Sequence, residues 1–460
     1  MESTLTRQGS PATRMRSTCR RLVTLSCALI VASSVGVAAL LAGSTPEFGS
    51  PANYATGHTP HAVALGDFNG DSKPDLATAN IFAGTASVLL NNGDGTFRAK
   101  VDYATVANPT SVAIGDVNGD AKPDFVTSSI GYPSAVSVFL NRGDATFLPR
   151  TDYATGLAPY SVAIGDLNGD GKADIATANL GDNTASVLLN RGNGTFQAAV
   201  DYATGHQPLS VSIGELNGDG RPDLAIANVA LEASSVSVLV NRGDGSFQPK
   251  VDYGTGHNPE SVAIGDVTGD GKADLATANT GADTVSVLRN KGDGSFETGV
   301  DYQSGHTPES VAIGDLNRDG KADLVSADSQ DNGVSVFANR GAGSFEPKLQ
   351  YEAGQIALAV AIGDLNGDRA PDLVTANEYD DSVSVIMNAT VFCLVPNVRG
   401  KTLARAKQVL ERADCSVGRV RRVHSKRVKR HRVISQSPRP GTVLADGAGV
   451  RLVVSRGKKH

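Results

Sequence analysis

Tryptophan is absent from this 460-residue chain, and aromatic residues of all kinds make up only 5% of it. With so few rings, burial falls mostly to aliphatic and small side chains. The runs that supply it alternate. In Val236-Ser-Val-Leu-Val240 one face is all valine, while Val162 and Ile164 stand opposite Ala163 and Gly165, which keep their own face thin enough for layers to stack closely. Catalytic signatures are missing too. No glycine-rich phosphate cradle, paired zinc motif or nucleophile elbow occurs, which removes the usual sequence marks of nucleotide hydrolysis, zinc proteolysis and α/β-hydrolase chemistry.

What the chain has in abundance is one acidic nonapeptide, first seen as Asp67-Phe-Asn-Gly-Asp-Ser-Lys-Pro-Asp75 and repeated six more times at spacings of 49, 50, 49, 51, 49 and 49 residues. Position 1 is Asp67, Asp116, Asp166, Glu215, Asp266, Asp315 and Asp364. Position 3 is Asn69, Asn118, Asn168, Asn217, Thr268, Asn317 and Asn366. Position 5 is Asp71, Asp120, Asp170, Asp219, Asp270, Asp319 and Asp368, and position 9 is Asp75, Asp124, Asp174, Asp223, Asp274, Asp323 and Asp372. With a backbone carbonyl from position 7, these odd-numbered oxygens form a ligand plan for a hard cation, and three carboxylates, one amide and one carbonyl suit Ca2+. No His or Cys lies inside the pattern to draw zinc or copper. A metal-free Asp/Asn/Gly turn would explain a single copy. Turn chemistry, however, does not require a carboxylate at position 9, and all seven copies keep it. The fourth, fifth and sixth copies are expected to be the weakest, because Glu215 lengthens position 1, Thr268 replaces the position 3 amide and Arg318 replaces a glycine.

The flanks of each loop, Ser261-Val-Ala-Ile-Gly-Asp266 before the acids and Asp274-Leu-Ala-Thr-Ala-Asn279 after them, resemble the FG-GAP (VCBS-type) repeats of integrin-alpha-like propellers. The resemblance covers about residues 48–390. It implies an all-β, seven-bladed β-propeller of four-stranded blades, with calcium in the loop between the first two strands. The residues agree independently: in the third repeat, 161–165, 174–179, 185–190 and 195–202 are four short runs divided by Gly, Asn and Asp. A period near 49 with four strands per unit suits a propeller.

Residues 1–21 carry five arginines against one glutamate, and 22–43 are apolar and uncharged, the pattern of an export signal spanning 1–44. The run is also long enough to span a bilayer, so a retained anchor is the alternative. Leu41-Ala42-Gly43-Ser44 resembles a lipoprotein box without its cysteine. Residues 48–54 repeat the fourth-strand segment seen at 97–103, whereas the seventh repeat stops at Asn388 without one. The ends are therefore expected to complete one blade and close the ring, so the propeller spans 45–390.

Residues 391–460 carry 18 Lys and Arg against Glu411, Asp414 and Asp446, a net of +15, while residues 50–390 carry 19 against 43, a net of −24. Of those 43 acids, 21 lie in the acid loops. The basic end resembles a PASTA domain, with Val395-Pro-Asn-Val-Arg-Gly400, a helix over 402–413, Val433-Ile-Ser-Gln-Ser-Pro-Arg-Pro-Gly441 and Val450-Arg-Leu-Val-Val-Ser455 in that family's order. Leu403, Ala406, Val409, Leu410 and Ala413 share one face of the helix. Cys393 and Cys415 bracket it, and in an exported chain an even pair is expected as a disulfide, a closure that could stabilise the small domain by roughly 3 kcal/mol. The family implies a bacterial source and contact with peptidoglycan or an anionic wall polymer. The cluster at 419–432 lacks interleaved aromatics and sits in an exported chain, so a solvated basic face is expected and nucleic acid is not.

Two other motifs have plain explanations. Arg142-Gly-Asp144 and Arg242-Gly-Asp244 occupy the turn that elsewhere reads Asn92-Gly-Asp94 or Lys291-Gly-Asp293, so turn formation is expected and integrin-type adhesion is not. His58, His206, His257 and His306 share one position in a Gly-His-X-Pro loop, on separate blades and too far apart for one metal. The repeated chemistry is structural. The expectation is a secreted or cell-surface binding module, with a carbohydrate or protein ligand on the face opposite the calcium, where the second-to-third-strand loops 81–85, 130–134, 229–234 and 378–381 vary freely. The alternative is a polysaccharide-acting lyase or hydrolase, which would need convergent acids with shifted pKa on that face.

Overall fold

The 49-residue period becomes seven four-stranded antiparallel sheets in simple up-and-down order, the arrangement of a seven-bladed propeller. The computed structural model describes residues 45–229, 234–390, 393–413, 415–444 and 449–458. The expected export segment lies outside them, as does most of the 229–234 loop. Among the described residues no helix is long and apolar enough to cross a membrane.

In the third blade the strands are Pro159–Gly165, Asp174–Asn179, Thr184–Leu188 and Val200–Ala203. The fourth is shorter than its sequence suggests. Phe196 leaves the sheet to bridge Asn190 and packs edge-on against Tyr153 of the preceding blade, with ring centroids 5.3 Å apart. The second strands are buried along their whole length and the third strands along most of theirs, because each blade is covered on both faces by its neighbours.

Close stacking depends on glycine. The first strand of every blade ends in Gly, and a Cβ there would stand 2.6–3.1 Å from the aliphatic side chain of the next blade: Gly66 faces Ile114, Gly165 faces Ile213, and Gly363 faces Leu65 of the first blade. A second repeated contact is a buried asparagine latch. Asn190 Nδ2 donates to the Ala173 carbonyl of its own blade at 2.6 Å and to the Val117 carbonyl, in the acid loop of the preceding blade, at 2.8 Å. Asn91, Asn141, Asn241, Asn290, Asn339 and Asn388 repeat it.

The N-terminus closes the ring as expected. Ala52–Ala55 pairs with Ser382–Ile386 as fourth strand of the seventh blade, with Tyr54 opposite Val383. Phe48 bridges Asn388 and packs edge-on against Tyr351 at 5.2 Å, the contact that Phe196 makes with Tyr153. Leu76, Leu89 and Phe97 of the first blade share one cluster with Leu365, Val374, Val383 and Val385 of the seventh, so no blade edge is left open there.

The C-terminal region is a small α+β unit. Its helix Leu403–Glu411 is capped by Thr402, whose side chain accepts from Arg405 N, and buries Ala406 and Leu410. Gly449–Ser455 pairs parallel with Ser416–Val423 and antiparallel with Val433–Ser437. Cys393 and Cys415 are joined in a disulfide with Cα atoms 4.6 Å apart, and both lie in the same apolar cluster as the helix.

Candidate functional site

Each acid loop is folded by its own hydrogen bonds. In the first, Asp67 Oδ1 accepts from the backbone N–H of Gly70 and Asp71, Oδ2 accepts from Ser72, and Asn69 Oδ1 accepts from Asp71. Position 9 does something the sequence does not reveal: Asp75 is fully buried, and its two oxygens accept from Phe68 N at 3.0 Å and Asn91 N at 2.8 Å. The same pair of bonds recurs at Asp124, Asp174, Asp223, Asp274, Asp323 and Asp372. A carboxylate at position 9 therefore has a structural use: it ties the acid loop to the third-to-fourth-strand turn. Its remaining lone pairs stay available to a cation. Six loops also carry a basic residue at position 7, with its nitrogen 3.0–3.9 Å from the position 5 carboxylate. Among the described residues, no three His, Cys, Asp or Glu side chains already converge as a metal cage. The fourth loop stands apart. Glu215 Oε1 accepts from Asn217 N and Gly218 N, while Oε2 is buried with no partner.

The opposite face holds what the repeats do not share. First strands begin there, since Pro60 pairs with Asn80 and Gly66 with Asp75 beside the acid loop. Among the described residues the strongly exposed aromatics are three, Phe82 (70%), Tyr132 (96%) and Tyr379 (73%), and all sit in second-to-third-strand loops, of the first, second and seventh blades. Ring closure makes those blades consecutive. Further in, every first strand has a bulge: pairing runs Pro60 to Asn80, then Ala62 to Ala79, and skips His61. The skipped residues, His61, Thr110, Tyr160, Leu209, Glu260, Glu309 and Leu358, line with their followers an axial cavity of about 130 Å3.

The FG-GAP-like repeat family matches at residues 67–127, 128–177, 166–226, 216–277, 266–326 and 315–375, a span that takes in all seven acid loops. The chain belongs to the FG-GAP-like repeat family. A PASTA domain matches residues 394–456. The propeller fold is shared with BBS1N in complex with ARL6DN, at 12% identity over 74% of this chain and 97% of that one with a TM-score of 0.53 in crystals soaked with lead. In crystals soaked with mercury the values are 10%, 75%, 98% and 0.54. An Agrocybe aegerita lectin, in a structure of specific recognition of non-reducing terminal N-acetylglucosamine, is similar at 23% identity over 70% of this chain and 86% of that one, with a TM-score of 0.48.

Charge is concentrated at both ends of this FG-GAP-like propeller. Burial, with adjacent loop acids adding to it, pushes the Asp75, Asp124, Asp223 and Asp372 carboxyls up to about 6 and Asp323 to about 7. Across the axial cavity, burial, a carboxyl–carboxyl hydrogen bond with Glu260 and the charge of that neighbour push Glu309 up to about 8. Burial lowers His61, whose Nδ1 lies 2.8 Å from the Thr110 carbonyl and whose Nε2 lies 2.9 Å from the Tyr160 hydroxyl. Sequence reading missed this cluster. The one available sign was that the residue between Pro and Ser-Val changes from repeat to repeat (Thr110, Tyr160, Leu209, Glu260) while its flanks do not.

The minor motifs fall where expected. Arg142 donates to the Phe147 carbonyl and Asp144 accepts from Thr146, so the Arg-Gly-Asp triplet is occupied by its own turn. His58 and His306 pair instead with Asp381 and Asp331, each at 2.8 Å.

Proposed function

We propose that the protein is an exported, calcium-stabilised propeller that binds carbohydrate on the face opposite its acid loops, with its PASTA domain held against the bacterial cell wall. The observation that carries this reading is the arc of Tyr379, Phe82 and Tyr132 on consecutive blades. Exposed rings in otherwise variable loops cost burial and offer flat apolar faces to a ligand, with polar groups of the loops beside them. For calcium, positions 1, 3, 5 and 9 of each loop would hold the ion, with the carbonyl of position 7. The donor set fits: it is all oxygen, the position 9 carboxylates retain lone pairs, and the partnerless Glu215 Oε2 calls for a positive neighbour. That last oxygen argues against the fourth loop being the weakest.

In the PASTA domain a cavity of about 530 Å3 is lined by Arg422, His424, Arg430, His431, Arg456 and Lys458, a setting for an anionic wall polymer. The disulfide and this domain together support a place outside the cytoplasm. A glycosidase would need its two carboxyls about 5–9.5 Å apart. Glu260 and Glu309 are neighbours whose interaction raises the Glu309 pKa, and they face a cavity of only about 130 Å3, so we take binding over hydrolysis.

The test is a glycan array and isolated cell walls probed with wild type and with the Phe82→Ala, Tyr132→Ala and Tyr379→Ala variants. Glycan binding lost in the variants at unchanged melting temperature supports the reading. Binding that the three variants leave intact, or a response to proteins alone, overturns it.

A further inference from the structure

We propose that the axial pocket on the variable-loop face binds a primary ammonium group. This goes beyond carbohydrate binding by the aromatic arc and does not rest on it. The pocket is the place where seven-fold repetition breaks down in chemistry: one position supplies His61, Tyr160, Glu260 and Glu309 from four different blades.

Hydrogen-bond polarity decides which ligand fits. The Thr110 carbonyl can only accept, so His61 Nδ1, 2.8 Å away, carries the ring proton. Nε2 is then an acceptor, and Tyr160 Oη at 2.9 Å donates its proton to it. The phenol oxygen is left with lone pairs alone. Burial also raises the Tyr160 pKa, so it stays a neutral phenol. On the other side Ser329 donates to Glu309 Oε1 at 3.0 Å and Thr280 to Glu260 Oε1 at 3.4 Å, and the two carboxyls share a hydrogen bond. Glu378 of the seventh blade adds negative charge within reach of His61 and Tyr160. Among the described residues no Lys or Arg lines the cavity.

The lining is therefore rich in acceptors and short of positive charge. A cavity of about 130 Å3 exceeds what a bare ion needs. An ammonium group brings three donors and one positive charge in the volume of a methyl group, and so can meet Glu260, Glu309 and Tyr160 together. Glu309 holds a proton at neutral pH, with Glu260, Ser329 and His61 facing it; an arriving ammonium displaces that proton to solvent. Affinity should then rise with pH, by up to about tenfold per unit between about 6 and 8.

A lysine side chain and an amino sugar both carry this group, so both serve as probes. The purified protein is titrated calorimetrically with Nα-acetyl-lysine methylamide and with glucosamine, each beside its N-acetylated form, and the lysine probe is repeated across pH. Expected are binding of at least one free amine, none of its acetylated form, and a loss of tenfold or more in Glu309→Gln with the pH dependence abolished. Tyr160→Phe, which removes one acceptor and keeps the ring, should weaken binding as well and guards against a folding defect in the first variant. Binding by neither amine to millimolar concentration, equal binding of acetylated forms, or an unchanged affinity in both variants overturns the proposal. Phe82→Ala should leave amine affinity as it is, so failure here and failure of the carbohydrate reading are told apart.

Discussion

Replacing Asp174 by Asn separates two roles of a position 9 carboxylate that its sequence position leaves merged. The residue is fully buried, and its oxygens accept from Leu167 N at 2.9 Å and Asn190 N at 2.7 Å. Asparagine is the same size but has one acceptor where aspartate has two, so its amide nitrogen must face an N–H. One charge-assisted bond, at about 1.5–3 kcal/mol, is lost, and a buried donor is left unpaired at about 1–3 kcal/mol. Removing a carboxylate whose pKa burial already raises offsets part of this. A net loss of about 2–4 kcal/mol remains, and it should appear in chelator, with no calcium present. Asp170 gives the contrast. It is exposed, its oxygens accept from the backbone and side chain of Lys172, and that lysine hydrogen bond lowers its pKa. Asp170→Asn should therefore leave chelated protein near wild type yet reduce the stabilisation that millimolar calcium adds. Urea unfolding of the three proteins, with chelator and with calcium, reads both effects. If Asp174→Asn matches wild type in chelator, the loop-to-turn tie is not what the buried aspartate does. If wild type shows no calcium response at all, the loops are turns and the metal reading is wrong.

Two further outcomes follow from the fold. Deleting residues through Tyr54 removes Phe48 and the Ala52–Ala55 strand, exposing the edge of Ser382–Ile386, and should cause aggregation visible by light scattering; a soluble product with unchanged heat stability would refute ring closure. Glu309→Gln should alter the pH dependence of stability. The folded pKa of about 8 lies above the ordinary glutamate value, so folding takes up a proton between about 4.5 and 8 and wild type loses stability as pH rises through that window. The variant should gain on wild type by pH 8 and show no such gain near pH 4; parallel unfolding curves at the two pH values would contradict this.

Much of this architecture is written locally. Alternating Val-Ser-Val-Leu runs, Gly and Asn at turns, and an acid nonapeptide every 49 or so residues determine strands, loops and repeat number, because each depends on neighbours within a few positions along the chain. Even closure is legible, since residues 48–54 supply a segment that the seventh repeat lacks. The reach of the fourth strands was overstated because Phe196 and its counterparts pack against the tyrosine of the preceding blade and not within their own sheet. Two matters were decided only in three dimensions. The position 9 aspartates acquire their second purpose from Asn91 and its equivalents, 16 to 18 residues further on, whose N–H groups arrive only when the turn folds back on the loop. His61, Tyr160, Glu260 and Glu309 lie as many as 248 residues apart, and each alone reads as an unremarkable residue after a proline. A strand bulge turns each one toward the axis, and closure of the ring brings the axis into being, so the cluster has no existence in any segment shorter than the whole propeller.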